Sequence, residues 1–173
     1  TFTAVLGAQP ASDVVLGVSS ADTGEVTVSP AELTFTSSNW NAAQTVTTNG
    51  VDDNLTDGNQ TTAVTVSVVD GSSDNAFDSL ADQTVSVTTS DDDSPGISAT
   101  ESDGSTGTTE TGDGDSFTVV LNTQPASDVV VSVVSSATGE VVVSPTTLTF
   151  TSSDWSTAQT ITVTGVDDTA IDG

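Results

Sequence analysis

The strongest constraint on the fold is an internal repeat. Residues 1–58 align without a gap on residues 116–173, at an offset of 115 positions, and about two-thirds of the aligned residues are identical. The matches extend over whole blocks, for example residues 9–15 on residues 124–130. A period of this length suits one sandwich-sized domain. The sequence therefore indicates tandem repeats of one domain.

The same alignment predicts how the chain is divided. Residues 1–93 are expected to form one β-sandwich repeat that lacks its first strand, and residues 94–173 a second repeat that lacks its last strands. Each end of the chain would then lie inside a domain of a longer array. We expect the absent strands of each unit to come from flanking repeat sequence, either continuously or from a neighbouring chain in a filament.

Alternation of apolar and polar residues indicates the type of secondary structure. Leu148 and Phe150 alternate with threonines, and Ile161 and Val163 do the same one strand later. A period of two, in runs bounded by Gly, Pro, Asn and Asp, is typical of half-buried antiparallel strands. We predict an all-β fold, an antiparallel β-sandwich of about seven strands per unit.

The composition excludes several functions. The chain has 25 acidic residues, no Lys, Arg, His or Cys, and a formal net charge of −25. Such a chain is repelled by nucleic acids and anionic membrane surfaces. It also has no imidazole, thiolate or amine for catalysis, so that only carboxylate-pair chemistry remains, and we expect no enzymatic activity. No apolar run approaches the roughly 18 residues of a membrane span, so no membrane insertion is expected in this segment.

Three groups of acidic residues are candidate cation ligands. They are the triplet Asp91, Asp92 and Asp93, the loop that follows Gly-Val-Asp-Asp with Asp53 and Asp57 and its copy with Asp168 and Asp172, and the stretch around Glu110. Carboxylates about 5 Å apart repel each other by about 0.8 kcal/mol even in water. Calcium takes six to eight hard oxygen ligands from flexible loops and would relieve this repulsion. Two alternatives stay open: solvated turn residues, since Asp favours turns, and magnesium.

The order of these motifs resembles the Calx-β domain. A Leu-Thr-Phe strand, a strand that ends in Gly-Val-Asp-Asp, an acidic loop, two further strands and Asp-Asp-Asp before Pro-Gly-Ile follow that family's pattern over the whole chain. The resemblance implies an immunoglobulin-like sandwich with calcium at one end, near the junction with the next domain. It implies as ligands Asp53, Asp57, Asp91, Asp92, Asp93, Glu110, Asp168 and Asp172.

The chain departs from the family pattern in two places. Gln60 stands where the family often has a further acid, and the family's Asp-Tyr loop is absent, with Glu25 and Glu140 as possible substitutes. Fewer ligands imply fewer ions or weaker binding.

Two functional hypotheses follow, and a third is less favoured. In the first, the chain is a structural repeat of a large secreted or cell-surface fibre or adhesin, and calcium stiffens its inter-domain junctions. In the second, the sandwich is an adhesive module that binds a glycan, a partner protein or ice. A calcium-sensing regulator like the exchanger domains of the family fits least well, because the chain is a tandem duplication and carries no basic residues. The predicted partners are neighbouring repeats, and the predicted location is extracellular or at the cell surface.

Overall fold

The computed structural model describes residues 1–169. Within that range the chain forms thirteen β-strands and one 3-10 turn, Asp70–Ser72, with no α-helix. The strands pair antiparallel throughout, and one isolated bridge, Leu55 with Gln124, is parallel. The predicted all-β, antiparallel fold is confirmed.

The chain separates into two compact units. The first unit comprises Thr1–Asp53 and Asp57–Asp91. The second unit comprises Asn54–Thr56 and the chain from Asp92 onward. The change of unit therefore falls within the acidic triplet, directly after Asp91.

Seven strands build the first unit as two sheets. They are β1 (Phe2–Ala4), β2 (Val14–Ser20), β3 (Val26–Ser29), β4 (Glu32–Phe35), β5 (Gln44–Gly50), β6 (Gln60–Val68) and β7 (Gln83–Thr89). One sheet has the order β1-β5-β3 and the other the order β4-β2-β6-β7. The two sheets bury their inner faces against a common core, as in a β-sandwich.

The core of the first unit follows from the alternation along its strands. Val14, Leu16 and Val18 of β2 are buried, and the residues between them are only partly covered. Phe35, Val46 and Val64, from three other strands, are completely buried in the same cluster. Burial of each such side chain contributes about 1.5–3 kcal/mol, so this core is the main stabilising feature of the unit.

Six strands build the described part of the second unit. They are β8 (Ile97–Glu101), β9 (Gly114–Leu121), β10 (Val129–Ser132), β11 (Val141–Ser144), β12 (Thr147–Phe150) and β13 (Gln159–Gly165). One sheet has the order β11-β13-β9-β8, and the other contains only β10 and β12. Phe150 and Ile161 are completely buried in its core, together with Leu148, Val119 and Leu121.

The sequence repeat reappears in the strands. Strands β3, β4 and β5 recur as β11, β12 and β13 with both bounds shifted by the same 115 positions. Trp40 and Trp155, which occupy equivalent positions in the repeat, are half-buried and pack against the core of their own unit. In each unit the tryptophan carbonyl accepts a hydrogen bond of 3.2 Å from a buried leucine N–H, that of Leu6 or Leu121.

Candidate functional site

At one end of the first unit, three strands begin or end beside Glu25. This residue directly precedes β3, and its carbonyl accepts a hydrogen bond from the N–H of Val51, just after β5 (2.9 Å). The same carbonyl accepts a second bond from the hydroxyl of Thr89, the last residue of β7 (3.0 Å). Because β7 belongs to the other sheet, the Glu25 backbone links both layers at this end.

The loop that enters β6 is fastened to Asp91 at the same end of the unit. The N–H of Gly58 donates to Asp91 Oδ2 (2.7 Å), and the Asp91 N–H donates to Asn59 Oδ1 (3.1 Å). Gly58 has a positive φ of 77°, a conformation that glycine adopts without a side-chain clash. Asp57, which precedes it, is thereby held next to the end of β7.

The Glu25 side chain lies in a strongly negative environment. It is half-buried, whereas Asp22, Asp53 and Asp57 are exposed. Partial burial raises the pKa of the Glu25 carboxyl, and the charges of Asp57, Asp53, Asp22 and Asp91 raise it further, in that order. The structure thus brings Glu25 together with the predicted ligands Asp53, Asp57 and Asp91, which we call the Glu25 cluster.

The acidic triplet is divided between the two units. Asp91 belongs to the first unit, whereas Asp92 and Asp93 belong to the second. Asp92 is exposed, and Asp93 is half-buried. That all three share an ion stays a prediction.

The second unit has a similar end with fewer acids. The carbonyl of Glu140 accepts a hydrogen bond from Val166 N–H (2.8 Å), as that of Glu25 does from Val51. The position of Asp22 is taken by Ala137. The predicted ligand Asp168 is exposed just beyond β13, and the predicted ligand Asp172 lies outside the described residues.

The segment around Glu110 is a loop that turns back on β13. Gly112 N–H donates to the Thr109 carbonyl, and Gly165, the last residue of β13, donates to the Asp113 carbonyl (3.4 Å). A Cβ atom at Gly165 would collide with the Thr109 carbonyl oxygen, so the loop backbone approaches this position closely. Glu110 itself is exposed.

Several other acids fix the backbone of loops. Asp74 accepts hydrogen bonds from the N–H groups of Ala76, Ser12 and Ala11, and these bonds lower its pKa. Asp115 accepts hydrogen bonds from Gly107, Ser102 and Ser116, which lower its pKa in the same way. These two carboxylates have a structural role of the kind that the turn interpretation predicts.

A second group of acids lies in the loop between β6 and β7. The Oδ1 atom of Asp78 is buried and has no hydrogen-bond partner in the described part of the chain. Burial raises the pKa of Asp78, and the Asp70 charge, a hydrogen bond with the Asp70 side chain and the Asp74 charge raise it further. Nothing in the sequence pattern distinguishes Asp78 from the exposed acids of this loop.

The Glu25 cluster has the donor chemistry that calcium requires, but not a preformed cage. All of its side chains offer carboxylate oxygens, which suit calcium and offer nothing to zinc-type sites that prefer nitrogen or sulfur. Across residues 1–169, no group of three or more acidic side chains is already arranged to hold a metal ion. Binding would therefore require rotation of the exposed Asp53 and Asp57 side chains.

The sequence prediction did not include Glu25 and Asp22 among the ligands. Glu25 was considered only as a substitute for a missing family loop, because an isolated acid before a strand carries no pattern. The signal that could have identified it is its position directly before a strand that pairs with the Gly-Val-Asp-Asp strand.

No protein-family model matches the chain, and no curated protein matches it significantly. The resemblance to the Calx-β domain therefore stays a prediction. A search of residues 1–169 for a helix long and apolar enough to cross a bilayer found none.

Proposed function

We propose that this chain is a structural repeat of a large secreted or cell-surface fibre or adhesin, and that calcium bound by its acidic loops stiffens it. The observation that carries the proposal is the Glu25 cluster: four carboxylates with Asp22 beside them, in a chain that has no basic side chain. Counter-charge has to come from solution, and a hard divalent cation suits an all-oxygen donor set.

The proposed role requires no catalysis. The two copies repeat the same strands and share about two-thirds of their aligned residues, which favours a spacer over a unique binding tip. A cation that binds only the folded chain stabilises the fold by mass action. In the proposed array, neighbouring repeats are the main partners, within one chain or in a self-assembled filament.

The arrangement of the carboxylates supports weak calcium binding. Asp53 and Asp57 are exposed and must give up water and side-chain freedom to coordinate an ion. We therefore expect a Kd on the order of 10⁻⁴–10⁻³ M, as in extracellular calcium modules. Such an affinity fits an extracellular or surface location.

The test is a thermal unfolding series of the full chain with EGTA and with increasing calcium. At ten times Kd, binding should stabilise the first unit by about 1.4 kcal/mol. Glu25→Gln should raise the melting temperature in EGTA, because it removes repulsion, and should reduce the gain that calcium gives. The matched control is Glu32→Gln, which changes an exposed acid in β4.

Two results would contradict the proposal. One is a melting curve that is the same in EGTA and in about 10 mM calcium, well above the expected Kd. The other is an equal calcium response in the Glu25→Gln and Glu32→Gln variants. Magnesium at the same concentration should stabilise less, since it gives up its water reluctantly.

The adhesive-module hypothesis has one observation in its favour. Large exposed apolar side chains are concentrated in the second unit, where Ile97, Val130, Val134 and Val142 are each at least 46% exposed. An exposed apolar patch is typical of an interaction surface. Two members of this patch, Val130 and Val134, lie in β10 or directly after it.

A further inference from the structure

The loop between β5 and β6 contains two copies of a modification pattern that the proposed function does not use. They are the sequences Asn54-Leu55-Thr56 and Asn59-Gln60-Thr61. The pattern Asn-x-Ser/Thr marks acceptors of N-linked glycans in surface loops of secreted proteins. In a chain of which about a third is Ser or Thr, the pattern also arises by chance. The structural surroundings of each asparagine therefore have to decide.

Asn54 presents its side chain to solvent. It is exposed, and its side-chain amide forms no hydrogen bond within residues 1–169. Its backbone carbonyl accepts a hydrogen bond from Gln124 N–H (2.8 Å), and an isolated bridge between Leu55 and Gln124 holds the segment. Thr56, which supplies the hydroxyl of the pattern, is exposed as well. The acceptor amide and the hydroxyl are thus both accessible to an enzyme.

Asn59 is also exposed, but its pattern is built into paired strands. Its Oδ1 atom accepts a hydrogen bond from Asp91 N–H (3.1 Å), and the next residue, Gln60, begins β6. Thr61 pairs with Thr88 of β7, and the two hydroxyls form a hydrogen bond of 3.1 Å. An enzyme would have to break these contacts before it could bind this second pattern.

The local sequence does not separate the two asparagines. An acid stands two positions before each of them, Asp52 and Asp57, and a threonine stands two positions after. In the second copy of the loop, Thr169 replaces Asn54. A difference in modification between Asn54 and Asn59 would therefore come from the structure, and modification of Asn54 has no counterpart at the equivalent position of the second unit.

We propose that Asn54 carries an N-linked glycan and that Asn59 is not modified in the folded chain. In the transfer, Asn54 Nδ2 attacks the anomeric carbon of an oligosaccharide linked to a lipid pyrophosphate. The carbon–nitrogen bond forms as the bond from that carbon to the pyrophosphate oxygen breaks. The lipid pyrophosphate leaves, and the amide proton passes to a base of the transferase. The product is a bulky, hydrophilic sugar chain on the surface loop.

The first test is peptide mapping of the full-length protein from its native source by mass spectrometry. The inference rests on the proposed export of the chain, because N-linked glycans are added to secreted proteins, and it does not depend on calcium. We expect a glycan on Asn54 and none on Asn59. An amidase that releases N-linked glycans should convert only the modified asparagine, at position 54, into an aspartate.

The second test compares the two asparagines in the folded chain. The full chain, produced without glycan, is incubated with a purified single-subunit oligosaccharyltransferase and a lipid-linked oligosaccharide. Asn59 should be modified at least about tenfold more slowly than Asn54, because its hydrogen bonds and the strand pairing have to open first. In an unfolded synthetic peptide with the sequence of residues 50–63, both asparagines should be modified at similar rates.

Matched variants test the assignment within the folded chain. Thr56→Val removes the hydroxyl and keeps the side-chain shape, so it should abolish modification of Asn54, whereas Thr56→Ser should retain it. Asn59→Gln should leave the transfer to Asn54 unchanged. The melting temperature of each variant shows whether the fold is intact.

Three results would each overturn the inference: an unmodified Asn54 in the native protein, a glycan on Asn59 there, or equal rates at the two asparagines in the folded chain. The calcium response of the Glu25 cluster is measured on chain produced without glycan, so the two proposals fail separately. An unmodified native Asn54 in a chain that calcium stabilises rejects the glycan alone. A glycan on Asn54 in a chain whose stability ignores calcium retains the glycan and rejects calcium stiffening.

Discussion

The two units contain matching strands in different surroundings. In the first unit, β2 lies between β4 and β6, and its three inward residues are buried. In the second unit, β10 differs from the matching part of β2 at two of four positions and has one neighbour among the described residues, and its inward valines are half-buried. The greater burial of β2 thus accompanies its second neighbour, β6, which has no counterpart beside β10 among the described residues.

The difference predicts two separate unfolding transitions, with the second unit the less stable. Phe35→Ala and Phe150→Ala remove equivalent, completely buried rings from the two cores. Each should cost about 3–5 kcal/mol, the largest effect that we predict. Calorimetry of the full chain should show that Phe35→Ala shifts the upper transition and Phe150→Ala the lower one.

The outcome of this pair can contradict the comparison directly. If either variant shifts a single common transition, the units do not unfold independently. If Phe150→Ala shifts the upper transition, the second unit is the more stable of the two, and its open face does not limit its stability.

A smaller effect, of opposite sign, is expected in the loop between β6 and β7. Asp78→Asn should stabilise the first unit at neutral pH, because it removes a half-buried negative charge that is repelled by Asp70. The pKa of Asp78 is raised in the folded chain, so the folded state is favoured while the carboxyl is protonated, below the unfolded pKa of about 3.9. This stabilising contribution of the protonated carboxyl is lost as the pH rises through the folded value.

The gain from Asp78→Asn should therefore shrink as the pH falls towards about 4. Thermal unfolding from pH 4 to 8 measures it, with Asp82→Asn, an exposed acid of the same loop, as the control. A gain that is equal at all pH values, or equal to that of the control, would exclude this explanation.

The smallest predicted effect concerns a turn that occurs in both units and differs at one residue, Asn39 in the first and Asp154 in the second. Asn39 Oδ1 accepts a hydrogen bond from Thr36 N–H in the first unit, and Asp154 Oδ1 accepts one from Thr151 N–H in the second (2.6 Å). Two hydrogen bonds from Thr151 lower the pKa of Asp154: the bond from the backbone N–H has the larger effect, and the bond from the hydroxyl the smaller. Its contribution to stability is thus present above the unfolded pKa and is lost as the pH falls through the lowered folded value.

Exchange of the two residues sharpens the comparison. Asp154→Asn should reduce the acid sensitivity of the second unit, and Asn39→Asp should introduce acid sensitivity into the first. Melting temperatures between about pH 2 and 6, on either side of the ordinary Asp pKa, measure both effects. If both variants follow the pH profile of the parent chain, the turn carboxylate does not contribute to acid unfolding.

The sequence was sufficient for those strands in which burial alternates with polarity, such as β4 and β12. Leu33 and Phe35, or Leu148 and Phe150, are buried between exposed residues just as the pattern predicts. The sequence could not show that Val129 and Val131 of β10 are half-buried, because exposure depends on neighbouring strands as well as on residue type.

The acidic site was harder to predict for a similar reason. Asp53, Asp57 and Asp91 were predicted as ligands because they lie in clusters along the chain, and the charge of each raises the pKa of Glu25. Glu25 joins them through strand pairing and has no acidic neighbours within two positions in the sequence. Asp74, Asp78 and Asp115 look alike in sequence, yet backbone contacts or burial give them opposite pKa shifts.

Amide hydrogen exchange of the full chain tests the comparison most directly. The amides of β2 (Val14–Ser20) should exchange slowly, and those of β10 (Val129–Ser132) that do not bond to β12 should exchange orders of magnitude faster. Equal protection of the two strands would contradict the account, because it would mean that β10 is covered on both sides as β2 is.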